Sequence, residues 1–181
     1  QAAALYRGEL LPFAYVLGSA CLSMTVFLLL SVWLAKTWVF TVVGAAAIGV
    51  CLWKRPWRDI IDAASPPGDI SRPMRWVFRV CFAIYGVYTF VYALAPETSP
   101  DGVAYHLGMV GRYFRAGGFE WYTGNMYANL PMGVEMLYLF AYSFGRHSAA
   151  ALTHWQFFAL LPFLLLALGR RFGHATAGAI A

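Results

Sequence analysis

Charge is what this sequence has least of. Asp, Glu, Lys and Arg make up 12% of its 181 residues, about half the share of roughly 25% that soluble domains carry. So few ions cannot cover a water-facing surface along the whole chain, which excludes an ordinary soluble domain. Cysteine is scarce too. Cys21, Cys51 and Cys81 each lie in an apolar run and form no CxxC pair. A disulfide scaffold or zinc ribbon is thereby excluded, and three small buried hydrophobes are predicted. The period-two alternation that a membrane β-barrel needs is missing. No internal repeat or low-complexity tract is evident. Nor is there a basic run: the net charge of +5 is spread over the ends of apolar segments and gives no nucleic-acid signal.

What the chain has in excess is apolar length. Hydrophobic residues make up 61% and aromatics 18%, with a mean hydropathy of +0.61. The apolar runs approach the roughly 20 residues that cross a bilayer as a helix. Five spans are predicted, at about 10–35, 37–53, 77–95, 130–145 and 148–169. The first run is too long for the roughly 7–15-residue core of a signal peptide. The fold class expected is all-α: a polytopic transmembrane helical protein. Pro162 should kink the fifth span, and Trp33, Trp38, Trp53 and Trp76 fall near segment ends as an aromatic belt does. Because the chain opens on Gln1 and closes in "HATAGAIA", an N-terminal fragment of a longer polypeptide is expected.

Loop charge orients the spans. Residues 54–76 carry Lys54, Arg55, Arg58, Arg72 and Arg75 around a Ser-Pro-Pro-Gly centre and read as a cytoplasmic basic loop with an irregular connection. Residues 1–53 then form an accessory N-terminal helix pair, and 77–181 a core whose external loop is about 96–129. In that arrangement Arg146 returns inside, whereas Arg170 and Arg171 fall outside, against the rule.

The external loop holds the richest polar stretch, "PETSPDGVAYHLGMVGRYFRAGGFEW". Ser99-Pro100-Asp101 reads as a helix start, with Ser as the cap and Pro in the first turn. Val103, Leu107, Val110 and Phe114 share one face, Tyr105, Arg112 and Arg115 point elsewhere, and Gly117-Gly118 ends the helix. A short interfacial helix lying on the membrane is expected. Asp101 has two readings: a first-turn carboxylate favoured by the helix dipole, or a base at the bilayer rim. Arg112 and Arg115 either snorkel to headgroups or bind phosphate. Glu135 should face a cavity or the waterline, and His154 should bond to a neighbouring helix. Asn129-Leu130-Pro131 reads as turn chemistry, with Trp121, Tyr122 or Tyr127 open to sugar contact.

An apolar helix followed by Pro-Asp, then Tyr-His-Leu in "PDGVAYHL", resembles the first external loop of C-type membrane glycosyltransferases. That superfamily includes the protein O-mannosyltransferases and the aminoarabinose transferases. "NLPMGVEMLYLFAYSFGRHSAAAL" and "ALGRRFGHATAGAIA" are similar to the family's next helices, so the resemblance covers about residues 77–181. It implies an enzyme of the bacterial inner membrane, with 96–129 facing the periplasm. The implied donor is a sugar on polyprenyl phosphate and the acceptor a glycan, lipid or protein. Asp101 would be the general base, and Tyr105, His106, Arg112, Arg115, Glu97 and Glu135 would bind substrate. Several such families carry two adjacent acids, whereas Gly102 comes after Asp101 and Glu97 is the near second acid. No metal ligand set is therefore assigned; a divalent cation is left open, and a single-carboxylate mechanism is the simpler one. Two other classes stay in view: a transporter or flippase for a lipid or sugar, and a non-catalytic membrane scaffold. Clustering of the acids at one surface favours the enzyme over a transporter, whose charges come to the midplane.

Overall fold

A computed structural model describes residues 5–64, 68–130 and 132–181, which leaves Pro66, Pro67 and Pro131 of the expected turns outside the described residues. Helices α1 (Arg7–Ser31), α2 (Thr37–Lys54), α3 (Trp57–Asp62) and α4 (Arg72–Leu94) come first. A π turn, Gly102–His106, leads into α5 (Leu107–Ala116). A 3₁₀ turn, Met126–Asn129, precedes α6 (Gly133–Arg171) and α7 (Ala175–Ile180). No strand occurs among the described residues.

Among them, four helices are long and apolar enough to cross a membrane: α1, α2, α4 and α6. Apolar length alone predicts five. The fourth and fifth runs are two helices within the range of α6: the chain leaves helical dihedrals at Gly145 (φ −143°) and Arg146 (φ 56°, ψ −142°) and doubles back there, so that Tyr138 and His154, 16 residues apart, hydrogen-bond at 2.5 Å. The break lies there and not at Pro162, whose surroundings keep helical dihedrals. The three cysteines are exposed and not buried as expected, because they sit on the outward faces of apolar helices. Apolar composition alone does not say which face a small residue takes.

The chain forms two compact units. One comprises Gln1–Leu17, Lys54–Val91 and Trp155–Ala181; the other comprises Gly18–Trp53 and Tyr92–His154. In the first, Phe163 packs edge-on against Phe82, and Tyr15 against Phe157. The indole N–H of Trp155 donates to Thr89 Oγ1 at 3.1 Å. Gly178 of α7 lies so close to α6 that a Cβ there would meet the Leu165 carbonyl at 2.5 Å.

Charge closes one end of this unit. Asp69 accepts from Arg170 of α6 at 2.6 Å and also pairs with Arg75 of α4. Glu9 of α1 pairs with Arg171 at 2.5 Å. Arg170 and Arg171 therefore sit with the basic residues of the 54–76 loop, not opposite them.

The second unit has the larger buried core. Val26, Leu30, Phe40, Val110 and Leu139 have no exposure at all. Gly118 packs under the Trp33 ring, where a Cβ would stand 2.3 Å from Cδ2, and the Ala35 N–H donates to the Gly117 carbonyl at 3.0 Å.

Candidate functional site

The polar stretch folds inside the second unit. Ser99 caps as expected: its hydroxyl accepts the Gly102 N–H at 3.1 Å. Beyond this cap the chain departs from a regular helix. The Leu107 N–H reaches back five residues to the Gly102 carbonyl, the pattern of a π turn, which often marks functional sites. One residue is inserted, so Val103 leaves the predicted face and is 56% exposed, while Leu107 and Val110 are buried. Met109 and Tyr113 join them, and this face of α5 packs on protein core. Gly117 at φ +80° ends α5, its N–H donating to the Tyr113 carbonyl.

The π turn carries His106 to Glu135 in the first turn of α6. The Nδ1···Oε1 distance is 2.5 Å, with the Glu135 side chain 11% exposed and His106 41% exposed. Beside them Tyr105 and Tyr127 stack at 5.6 Å. The Tyr105 hydroxyl is pushed above its ordinary range, first by desolvation and then by the charges of Asp101, Tyr127 and Glu135. Asp101, Tyr105, His106 and Glu135 thus share one locality. Asp101 itself is exposed and has no hydrogen-bond or ion-pair partner among the described residues.

A second locality is a cavity of about 180 Å³. Its apolar wall comes from Val103, Leu107, Gly108 and Gly111; its polar groups are Glu97, Arg115, Tyr142 and His147. Asp101 does not line it. Glu97 accepts the Ser99 N–H at 2.7 Å. The Ser99 hydroxyl, and after it that N–H, holds its carboxyl below the usual range against some desolvation. Arg112 is engaged elsewhere, stacked 4.4 Å over the Tyr122 ring.

The chain matches no family model, no curated protein and no solved structure. Its geometry therefore has to carry the reading. No group of three or more metal-ligating side chains occurs among the described residues.

Sequence reasoning missed His147, Tyr142 and the spacing glycines. Their signal was "SFGRHSA", a Gly-Arg-His interruption within an apolar run. Arg146 adopts a positive φ there and lies 5.4 Å over Phe114 and 5.5 Å over Tyr142. A β-carbon in this backbone region is strained by about 1–3 kcal/mol. The expected hydrogen-bonding role of His154 holds, with Tyr138 as its partner at 2.5 Å.

Proposed function

We propose that this chain belongs to a polytopic integral membrane enzyme that transfers a sugar from a polyprenyl-phosphate donor to a glycan, lipid or protein acceptor. Four apolar helices and the outward apolar faces of Leu17, Ile48, Ile84 and Tyr92 support the membrane setting. With four spans, Arg7, Lys54, Arg55, Arg58, Arg72, Arg75, Arg170 and Arg171 fall on one side. Lys36, Arg112, Arg115 and Arg146 fall on the other. Eight against four, with Arg79 within α4, agrees with the positive-inside bias and supports an outward, periplasmic position for 96–129.

The observation that carries the chemistry is the His106–Glu135 couple at 2.5 Å. Glu135 accepts from Nδ1–H, which fixes the tautomer and leaves Nε2 free to take a proton. As the acceptor oxygen bonds to the anomeric carbon, its proton passes to Nε2 and the C–O bond to phosphate breaks, inverting that carbon. This geometry favours His106 as the base, with Asp101 at the rim contributing charge. The stacked Tyr105 and Tyr127 offer faces for a sugar, and the resemblance of "PDGVAYHL" to the C-type glycosyltransferases supports the same class. Membranes bearing the protein should move labelled sugar from polyprenyl phosphate. His106→Gln should abolish that transfer, and Asp101→Asn should weaken it less. Full transfer by His106→Gln protein would return the base role to Asp101; no transfer by wild type would leave the lipid or sugar transporter as the reading to test.

A further inference from the structure

The charged end of the first unit holds more cation than its own carboxylates use. Arg75 of α4 and Arg170 of α6 both donate to the Asp69 carboxylate from Nη2, the latter at 2.6 Å, so one acid brings two guanidiniums side by side. A guanidinium has five N–H donors. Among the described residues each of these two donates a single hydrogen bond, and the Nε–H of each is buried without an acceptor. Asp69 is already shared further, since its Oδ1 also accepts the Ile70 N–H at 2.8 Å. Glu9, at the same end, is taken by Arg171. Two converging cations with unspent donors are the chemistry that binds a further anion. A second observation lies on α4. Arg72, Arg75 and Arg79 recur at i, i+3 and i+7, the spacing of one helix face. Arg79 stands about 10 Å further along the axis than Arg72, within a helix apolar enough to span. It is exposed, and its guanidinium has no ion pair or hydrogen bond among the described residues; it lies 5.8 Å over the exposed Trp76 ring. A cation facing hydrocarbon is costly unless it meets an opposite charge. Beyond Arg79, the exposed Ala83, Val87 and Phe90 continue the same side as apolar surface.

We propose that this end of α4 and α6 is a binding site for the headgroup of an anionic phospholipid. The phosphate lies against the guanidiniums of Arg75, Arg79 and Arg170, and an acyl chain runs along Ala83 and Val87. A guanidinium matches phosphate oxygens in pairs, and Asp69 removes part of the cost of bringing two of them together. Basic groups between helix ends at this face of a membrane protein suit anionic headgroups. A zwitterionic lipid would carry its ammonium toward the same cations, whereas phosphatidylglycerol carries none. The charge balance therefore selects the anionic lipid. The apolar side of α4 above the arginines selects a lipid over a soluble phosphate. This inference uses the membrane setting but not the transfer reaction, since lipid binding is measurable without turnover.

The full chain in detergent is offered equimolar phosphatidylglycerol and phosphatidylethanolamine, and the lipid retained is read by native mass spectrometry. Phosphatidylglycerol should be retained in about tenfold excess, the effect of one charge-assisted contact. Arg79→Gln removes an exposed side chain that makes no hydrogen bond within the protein, so folding is kept while the excess falls several-fold. Arg170→Lys keeps the net charge but loses the planar fork, and should lower the excess as well. Arg58→Gln takes a cation from the same end outside the cluster and should leave the excess unchanged. Glycerol 3-phosphate in large excess should not displace the retained lipid. Equal retention of the two lipids by wild type overturns the proposal, as does an excess that survives in both Arg79→Gln and Arg170→Lys. A loss in Arg58→Gln as large as in those variants would mean diffuse attraction and no built site. Displacement by glycerol 3-phosphate would assign the cluster to a soluble phosphate and overturn the lipid as its occupant.

Discussion

Two buried carboxylates, one in each compact unit, show opposite uses of the same group. Glu9 is 3% exposed and fully engaged. Arg171 donates to it from both Nε and Nη2, the Tyr6 N–H donates at 2.9 Å, and the Tyr6 ring covers the guanidinium at 5.0 Å. Glu135 is 8% exposed but has a titratable partner whose ring remains partly in solvent. A permanently charged fork on a carboxylate locks two helix ends together. A histidine on a carboxylate leaves one ring nitrogen free, and that nitrogen can move a proton. Burial alone does not separate structure from chemistry; the partner does.

The sharpest way to break this contrast is His106→Gln. If the couple performs acid–base work, sugar transfer should fall about 10²- to 10⁴-fold while unfolding of the purified protein changes little. Glu135→Gln should give a similar loss of rate. A large loss of stability with unchanged transfer would make this pair structural as well, and the two units would no longer differ in kind.

The complementary change is Glu9→Ala, which leaves Arg171 without its carboxylate. Removing one partner of a buried pair costs about 3–5 kcal/mol, to be read by chemical denaturation in detergent. Glu9→Leu combined with Arg171→Met should recover most of that loss, because neither charge is then stranded. Transfer per folded molecule should stay near wild type in both proteins.

A smaller effect is expected from Gly108→Ala. A β-carbon there would stand 2.2 Å from the Val103 carbonyl oxygen, so the π turn has to shift. Overpacking of this kind costs about 1–3 kcal/mol. If the segment relaxes to a regular α-helix, His106 rotates by about 100°, one residue's worth of helical turn, away from Glu135. The imidazole resonances of His106 should then lose their coupling to the carboxylate even where the protein remains folded.

The sequence pattern made some of this legible for definite physical reasons. Apolar runs of spanning length mark α1, α2 and α4 because a lipid-facing helix must be apolar all round. Ser99 and Gly117 mark the limits of the polar helical stretch because an unsatisfied N–H and a left-handed turn each demand a particular residue type. The π turn was not legible. "GVAYHLGM" fits a regular helix equally well, and the inserted residue becomes apparent only from where Val103 and His106 end up. The break in α6 was legible, since the fourth run ends at Gly145 and the fifth begins at 148. Gly145 marks the end of the fourth run, whereas Arg146 at positive φ is a conformation no propensity favours. His147 then looked like a loop residue, although it lines the cavity with Glu97 and Arg115.

The smallest predicted effect concerns Glu97, which is neither saturated like Glu9 nor coupled to a titrating partner like Glu135. Hydrogen bonds from the Ser99 hydroxyl and N–H hold its carboxyl below the ordinary value of 4.5. A carboxyl lowered on folding stabilises the folded state while ionised. That contribution is complete above the unfolded value and disappears as the pH falls through the lowered folded one. Wild type should therefore exceed Glu97→Gln in stability by about 1 kcal/mol, typical of one net hydrogen bond, at neutral pH. The gap should hold down to roughly pH 5 and close below the ordinary carboxylate value as Glu97 becomes protonated. Thermal unfolding of both proteins across that range measures it. A gap that widens toward acid would mean that Ser99 favours the protonated carboxyl.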